Sequence, residues 1–212
     1  VRRQSGPLNL VLPSPDQVAE AVGNPLNPTG PGVVGSITLL PNGIRDSGDV
    51  EPLDCLGSAT PLMRVVYEKG DVREVALRDF ARYGEGLTVS SVHTGVVRFA
   101  SDAEAARMFS AFVSRWRTCD GARVRVQVTP TSELVWRVTD VRTDGAVLSD
   151  VVVTGGSRNE PAFPTEHALG LAGACIVEVD VAVTDMLRGH RIATTRAADL
   201  VRQMIDNVTR AG

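Results

Sequence analysis

The stretch Ser101 to Cys119, SDAEAARMFSAFVSRWRTC, constrains this chain most. It opens with the pattern of a capping box. The Ser101 hydroxyl is placed to accept the Glu104 backbone N–H, and the Glu104 side chain to reach back to the Ser101 N–H. Ala105, Phe109, Phe112, Val113 and Trp116 then recur at helical spacing and make one wide apolar stripe. The chain holds only five Phe and two Trp, so two Phe and one Trp on one helix are a large share of its bulky core material. The helix has to be covered, and it runs directly into Cys119.

The rest of the composition narrows the class. With 43% hydrophobic and 22% charged residues, the 212-residue chain has an ordinary soluble globular composition. A net charge of −3 and an isoelectric point near 5.6 argue against a nucleic-acid partner, which calls for a basic surface. No apolar run approaches the ~18 residues needed to span a membrane. The chain begins at Val1 rather than Met, which fits a cleaved signal sequence or a lipid anchor upstream. The three cysteines, Cys55, Cys119 and Cys175, form no CxxC pair and no cluster with His at metal spacing, which argues against zinc. By themselves they are compatible with three buried thiols or with one bond and one thiol left over.

Taken in order, residues 1–13 read as a flexible N-terminus. Ser14 then caps a short helix with Pro15 at its first position, and Gly23 ends it. Residues 24–52, rich in Pro, Gly and Asn, read as a long extended loop in which SITLL packs on the core or at a sheet edge. Residues 52–68 read as a helical turn or short helix with Leu62, Val65 and Val66 inward. Residues 72–81 and 87–100 read as two strands, with Gly95 marking a bulge or a close backbone approach. After the long helix, Val124, Val126 and Val128 alternate with Arg123, Arg125 and Gln127, as in a strand with one wet face. Pro130 stops that strand. Residues 134–141 and 146–154 form a hairpin about Thr143-Asp144-Gly145, and 155–165 read as a loop. HALGLAGA leads into the strand CIVEVDVAV, whose valines point one way and whose Glu178 and Asp180 point the other. A helix from about Thr195 buries Ala197, Val201, Met204, Ile205 and Val208. Short turns between successive strands make them antiparallel. The fold class is therefore α+β: one domain over 1–212, mostly antiparallel sheet, with short N-terminal helices, a cleft, and the two long helices packed on one face.

The set of motifs, in order, is specific. PLDC and then LMRVVYEK lie upstream, followed by a strand ending in Phe99, SDAEAA at the start of the central helix and WRTC at its end. A V-x-V-x-V strand, HAL, IVEVDVAV and AADLV follow. From Ser14 to Arg210 this resembles the PknH-like extracellular sensor domain, found on a mycobacterial transmembrane serine/threonine kinase and on related secreted proteins and lipoproteins. The near-exclusive use of arginine, with Lys69 the lone lysine, fits a high-GC actinobacterial genome. The resemblance implies an extracytoplasmic, exported domain, anchored if at all through an upstream lipid. It implies an antiparallel sheet with helices beside a cleft, and sensing rather than catalysis. It also implies a disulfide between Cys55 and Cys119, which would close a loop of about 65 residues and stabilise by up to ~4 kcal/mol. Relatives often carry a second disulfide near HAL and the strand after it. Glu166 and Ala182 stand in those regions here, so Cys175 is expected as a buried free thiol.

No catalytic constellation emerges. His93, His167 and His190 show no metal spacing, and neither metal nor cofactor is expected. Glu178 and Asp180 share a strand face, where a charged solvent face is the ordinary reading and an acid/base pair the sharper one. G-x-S-x-G, G-x-G-x-x-G and P-loop patterns are lacking. For a binder, Arg123, Arg125, Arg137 and Arg142 are candidate contacts to an anionic or lipidic ligand, with Trp136 a candidate pocket wall. The expected function is a ligand-binding sensor domain. The alternative is a protein-interaction module that regulates a cell-envelope complex without a small ligand.

Overall fold

Alternation of apolar and polar residues decides the architecture. In Cys175–Val183 each residue type faces one side, and in this chain both sides are covered. The computed structural model describes residues 7–155, 163–184 and 195–212. The strands are β1 (Asn27–Pro28), β2 (Val33–Gly35), β3 (Val50–Glu51), β4 (Val72–Ala81), β5 (Val89–Phe99), β6 (Arg123–Thr129), β7 (Ser132–Asp144), β8 (Val147–Gly155), β9 (Phe163–Ala172) and β10 (Cys175–Val183). The helices are α1 (Pro15–Val22), α2 (Leu56–Ala59), α3 (Arg64–Tyr67), α4 (Asp102–Cys119) and α5 (Thr195–Ala211).

The strands form one antiparallel sheet in the order β1-β4-β5-β10-β9-β8-β7-β6-β3, with β2 also paired to β4. The five strands β6 to β10 are a meander, and β10 closes it against the β4–β5 hairpin. This puts β10 in the middle of the sheet. The HALGLA run lies in β9, which begins at Phe163, inside the loop expected over 155–165.

The two long helices lie on opposite faces, not on one. On β10, Val177, Val179 and Val181 pack with Ala197, Leu200, Val201 and Met204 of α5 and with Val18 and Val22 of α1. Ile176 points the other way, into a core with Phe109, Phe112 and Trp116 of α4. One helix on each side lets both stripes be buried on strands that are apolar on both faces. A glycine marks the close approach on each side. A Cβ at Gly170 would sit 2.6 Å from Val201 of α5, and one at Gly95 would sit 2.6 Å from Leu62 on the α4 side.

The N-terminal region is more ordered than its composition suggests. Leu8, Val11 and Leu12 are buried in the α5-side core, so the expected flexible stretch over 1–13 is docked from residue 7 onward. Asn207 of α5 holds it by donating to the Val11 carbonyl at 3.2 Å. The proline-rich loop contributes β1 and β2 to one edge of the sheet and β3 to the other, crossing the α4 face between them. Leu40 is buried there, and the Pro41 carbonyl accepts from Arg64 N.

At the start of α4, Ser101 Oγ accepts from Glu104 N at 3.2 Å, as expected. The reverse arm of the capping box is absent. The Glu104 carboxylate instead accepts from Asp71 N and Arg107, which ties the helix to the turn before β4. The Arg107 hydrogen bond, with help from Asp71 N, holds the Glu104 carboxyl down at about 2. At its far end, Cys119 is bonded to Cys55, which clamps the residues before α2 against α4 and β6.

Candidate functional site

The register of five strands lines up a row of ionisable side chains on the α4-facing side of the sheet. Asp79 of β4 is paired with His93 of β5, His93 with Asp180 of β10, Asp180 with His167 of β9, and His167 with Asp150 of β8. Direct cross-strand partners share a face, so acid and imidazole alternate along the row. Its members sink steadily into the protein. The side chains are 49% exposed at His93, 15% at Asp180, 1% at His167 and 0% at Asp150.

Glu178, two residues before Asp180, joins the buried end. Sequence reading favoured a solvent face for Glu178 and Asp180. The helix and loops that cover this side overturn it, because Glu178 is only 1% exposed. Its carboxylate accepts from three donors: Leu62 N at 3.1 Å, Tyr67 Oη at 2.5 Å and His167 Nε2 at 2.7 Å. Leu62 holds its N–H there with φ at +58°, a left-handed conformation that costs a non-glycine residue roughly 1–2 kcal/mol. The Leu62 side chain settles over Gly95, where a larger residue would collide.

Protonation follows from these contacts. Burial works against charge on His167, but the Glu178 hydrogen bond and the Asp150 and Glu178 carboxylates outweigh it and raise its pKa to about 9. His93 rises to about 9 chiefly through its 2.6 Å hydrogen bond to Asp180. Burial pushes the Tyr67 phenol well above its ordinary value, and the Glu178 charge adds to this. Asp150 is the exception in the cluster. Neither carboxylate oxygen has a hydrogen-bond partner among the described residues, and the nearest imidazole nitrogen is 3.7 Å away. Burial drives its pKa well up, and the nearby His167 imidazolium offsets only part of that rise.

A pocket of about 190 Å³ opens beside the row, between the end of α2 and the strands. Its polar lining is Thr60, Thr154, Thr165, His167 and Asp180, with Trp136 as a wall. The Trp116 ring packs on His167 from the α4 side at 4.5 Å between centroids. The arrangement offers hydroxyls, a carboxylate and an aromatic plane over a buried ion cluster. It does not offer an activated nucleophile. His167 Nδ1 faces the Ser58 carbonyl, and the Ser58 hydroxyl is donated to Cys55 O. Among the described residues, no three His, Cys, Asp or Glu side chains converge as metal ligands would.

A family model for the PknH-like extracellular domain matches residues 4–207. The chain belongs to the PknH-like extracellular domain family. The crystal structure of the extracellular domain of PknH from Mycobacterium tuberculosis superposes with a TM-score of 0.76 at 18% identity, covering 96% of this chain and 95% of that one, and so shares the fold. An X-ray structure of an uncharacterized protein from Mycobacterium smegmatis reaches a TM-score of 0.47 at 14% identity, covering 97% of this chain and 98% of that one. No curated protein matches. Membership places this PknH-like domain outside the cytoplasm. No helix among its described residues is long and apolar enough to cross a membrane.

Within the PknH-like domain, the sequence-derived candidates separate. Trp136 lines the pocket, but Arg123, Arg125 and Arg137 project from the opposite side of the sheet, since Val124, not an arginine, is paired with Trp136. Arg125 is bonded to Glu51 at 3.0 Å and Arg142 lies 3.7 Å from Asp140. Cys175 is a buried free thiol, and burial raises its pKa. Near HAL, the buried Glu166 accepts from Arg196 N and Nη1, both at 2.9 Å, and so clamps the start of α5. His190 lies outside the described residues. Asp150, and His167 as a site residue, escaped sequence reading. The signal was an acid or imidazole at the centre of each of several valine-rich strands, which becomes a site only through register.

Proposed function

We propose that this PknH-like domain is the ligand-binding part of an extracytoplasmic sensor, and that the pocket beside His167 and Asp180 receives a small ligand rich in hydrogen-bond donors. The observation that carries this reading is the pocket's make-up. Thr60, Thr154, Thr165 and Asp180 line it beside the Trp136 wall. His93 uses only Asp180 Oδ1, which leaves Oδ2 available as an acceptor. An indole plane with acceptors around it suits a polyhydroxylated or amino-bearing molecule, whose C–H face packs on the ring while its hydroxyls or ammonium reach the carboxylate. The arginines expected to attract an anion stand on the far side of the sheet, and the Asp180 carboxylate at the pocket favours a donor over an anion. Binding, not catalysis, is the proposed role, since among the described residues His167 faces no side-chain nucleophile.

Native mass spectrometry of protein purified from an actinobacterial host tests this. The expected result is a retained small molecule that is lost in Trp136→Ala. In parallel, glucosamine should perturb the amide resonances of Thr60 and Thr165, and inorganic phosphate should not. An adduct unchanged in Trp136→Ala would place the ligand elsewhere. No adduct and no response to glucosamine would favour the protein-interaction module.

A further inference from the structure

A second concavity lies on the other side of Trp116, and its chemistry differs from that of the polar pocket. We propose that the groove between α4 and the α2–α3 segment binds a single-chain anionic amphiphile of the medium-chain fatty-acid class. Its head group would lie at Lys69 and Arg107, and its chain would run over Met108, Ala111 and Phe112 toward Trp116.

The floor of the groove is apolar, formed by Val66, Met108, Ala111 and Phe112. Met108 is a side chain well suited to moulding around a flexible chain. The charged rim is Lys69, Arg107 and Arg115 against a single acid, Asp54. Arg115 engages Asp54 at 2.8 Å, which neutralises that end near the disulfide. The other end keeps a positive excess. Arg107 donates through Nε and Nη2 to Glu104 and through Nη2 to the Lys69 carbonyl, leaving Nη1 uncommitted among the described residues. Lys69, the only lysine in the chain, has neither an ion-pair nor a hydrogen-bond partner for its ammonium among the described residues. An apolar trough with the unpaired Lys69 ammonium and the uncommitted Arg107 Nη1 at one end is complementary to a molecule with an acidic head and a hydrocarbon tail.

Size selects the occupant. The groove encloses about 150 Å³. A cavity of that order accepts one benzene-sized apolar group. One short chain fits; two acyl chains of a bilayer lipid do not. The inference does not rest on the polar pocket as a ligand site, but the two are physically joined. Trp116 lines the groove and packs on His167, so an occupant of the groove presses on the ring that covers the buried ion cluster.

The test is a titration of the whole protein, labelled at the methionine methyl groups, with octanoate below its micellar concentration, followed by NMR and by calorimetry. Saturable binding with the Met108 methyl shifted most is expected. Octanol should bind at least tenfold more weakly, as should octanoate to Lys69→Glu. Ala111→Trp, which fills the trough, should abolish binding; Lys69 is exposed, so Lys69→Glu keeps the test valid if the tryptophan variant does not fold. A Met108 signal that does not move overturns the proposal. So does binding indifferent to head-group charge and to Lys69→Glu, or binding seen only with anionic phospholipid vesicles. Loss of the glucosamine response with octanoate binding intact would remove the polar pocket and leave the groove.

Discussion

The two faces of the sheet are built from alternate residues of the same strands, yet they do different things. The face under α5 and α1 is a continuous apolar layer in its centre, with Val177, Val179 and Val181 packed on Leu200, Val201 and Met204, all almost fully buried. The face under α4 buries as many large side chains but also Asp150, His167 and Glu178. A regular helix covers the first face with an apolar stripe, and its buried polar contacts, Arg196 to Glu166 and Asn207 to the Val11 carbonyl, lie toward its two ends. The second is covered by α4 together with the irregular segment that carries Leu62 and Tyr67. An irregular cover has free N–H groups and hydroxyls to offer, and that allows charge to be kept inside. Both faces stabilise the fold, but the His167–Glu178–Asp150 cluster and the polar pocket belong to the α4 face.

The largest effect is expected at Glu178. Glu178→Gln removes the negative partner of a buried imidazolium and should cost about 3–5 kcal/mol. That is as much as Leu200→Ala on the apolar face, expected at about 2–5 kcal/mol. Chemical denaturation measures both. A loss under 1 kcal/mol at Glu178 would mean that the ion cluster is not a structural unit.

Reduction of the Cys55–Cys119 bond should come next, at up to ~4 kcal/mol. The bond joins the covering segment to α4, so hydrogen exchange should rise in residues 7–60 and on α3 while β10 and α5 stay protected. Equal exchange with and without reductant would show that Cys55 is not what holds that cover.

The pH dependence separates the faces further. The folded-state pKa of His167, about 9, lies above the ordinary value of 6.5. Its contribution is therefore fully present below pH 6.5 and is lost as pH rises through about 9, amounting to up to about 3 kcal/mol. His93 has the same sign but is half exposed, so solvent screening makes its share small. Thermal melts from pH 6 to pH 10 should fall accordingly in the native protein and stay flatter in His167→Gln. A flat native profile would contradict the ion pair.

The smallest effect has the opposite sign. Asp150 has no hydrogen-bond partner for its carboxyl among the described residues, so Asp150→Val should stabilise by about 1–2 kcal/mol. Weakened glucosamine binding in the same variant would identify Asp150 as a residue kept for function at the expense of stability. If Asp150→Val destabilises instead, the carboxyl has a structural role that its contacts do not reveal.

Much of this molecule follows from local pattern. The capped helix over 102–119, the hairpin turn, which falls at Gly145-Ala146 and so one residue later than Thr143-Asp144-Gly145, the alternating strands and the C-terminal helix all answer to propensity and periodicity, which act over a few residues. The PLDC-to-WRTC order carried the family and the Cys55–Cys119 pairing. The functional surface was not legible in the same way. Trp136 and Arg137 are neighbours in sequence and stand on opposite faces. Asp79, His93, Asp150, His167 and Asp180 are scattered over a hundred residues and form one row.

The sequence alone determines which segments of this chain become strands and helices, because backbone preference and apolar spacing are properties of neighbouring residues. Only the tertiary structure decided that the two long helices take opposite sides of the sheet, and that β10 lies between β5 and β9. Those two choices turn Glu178 and Asp180 from a solvent face into the centre of a buried site. Strand order and register are set by long-range packing, and a side chain's solvation, and with it its charge, is settled only when its cover is in place.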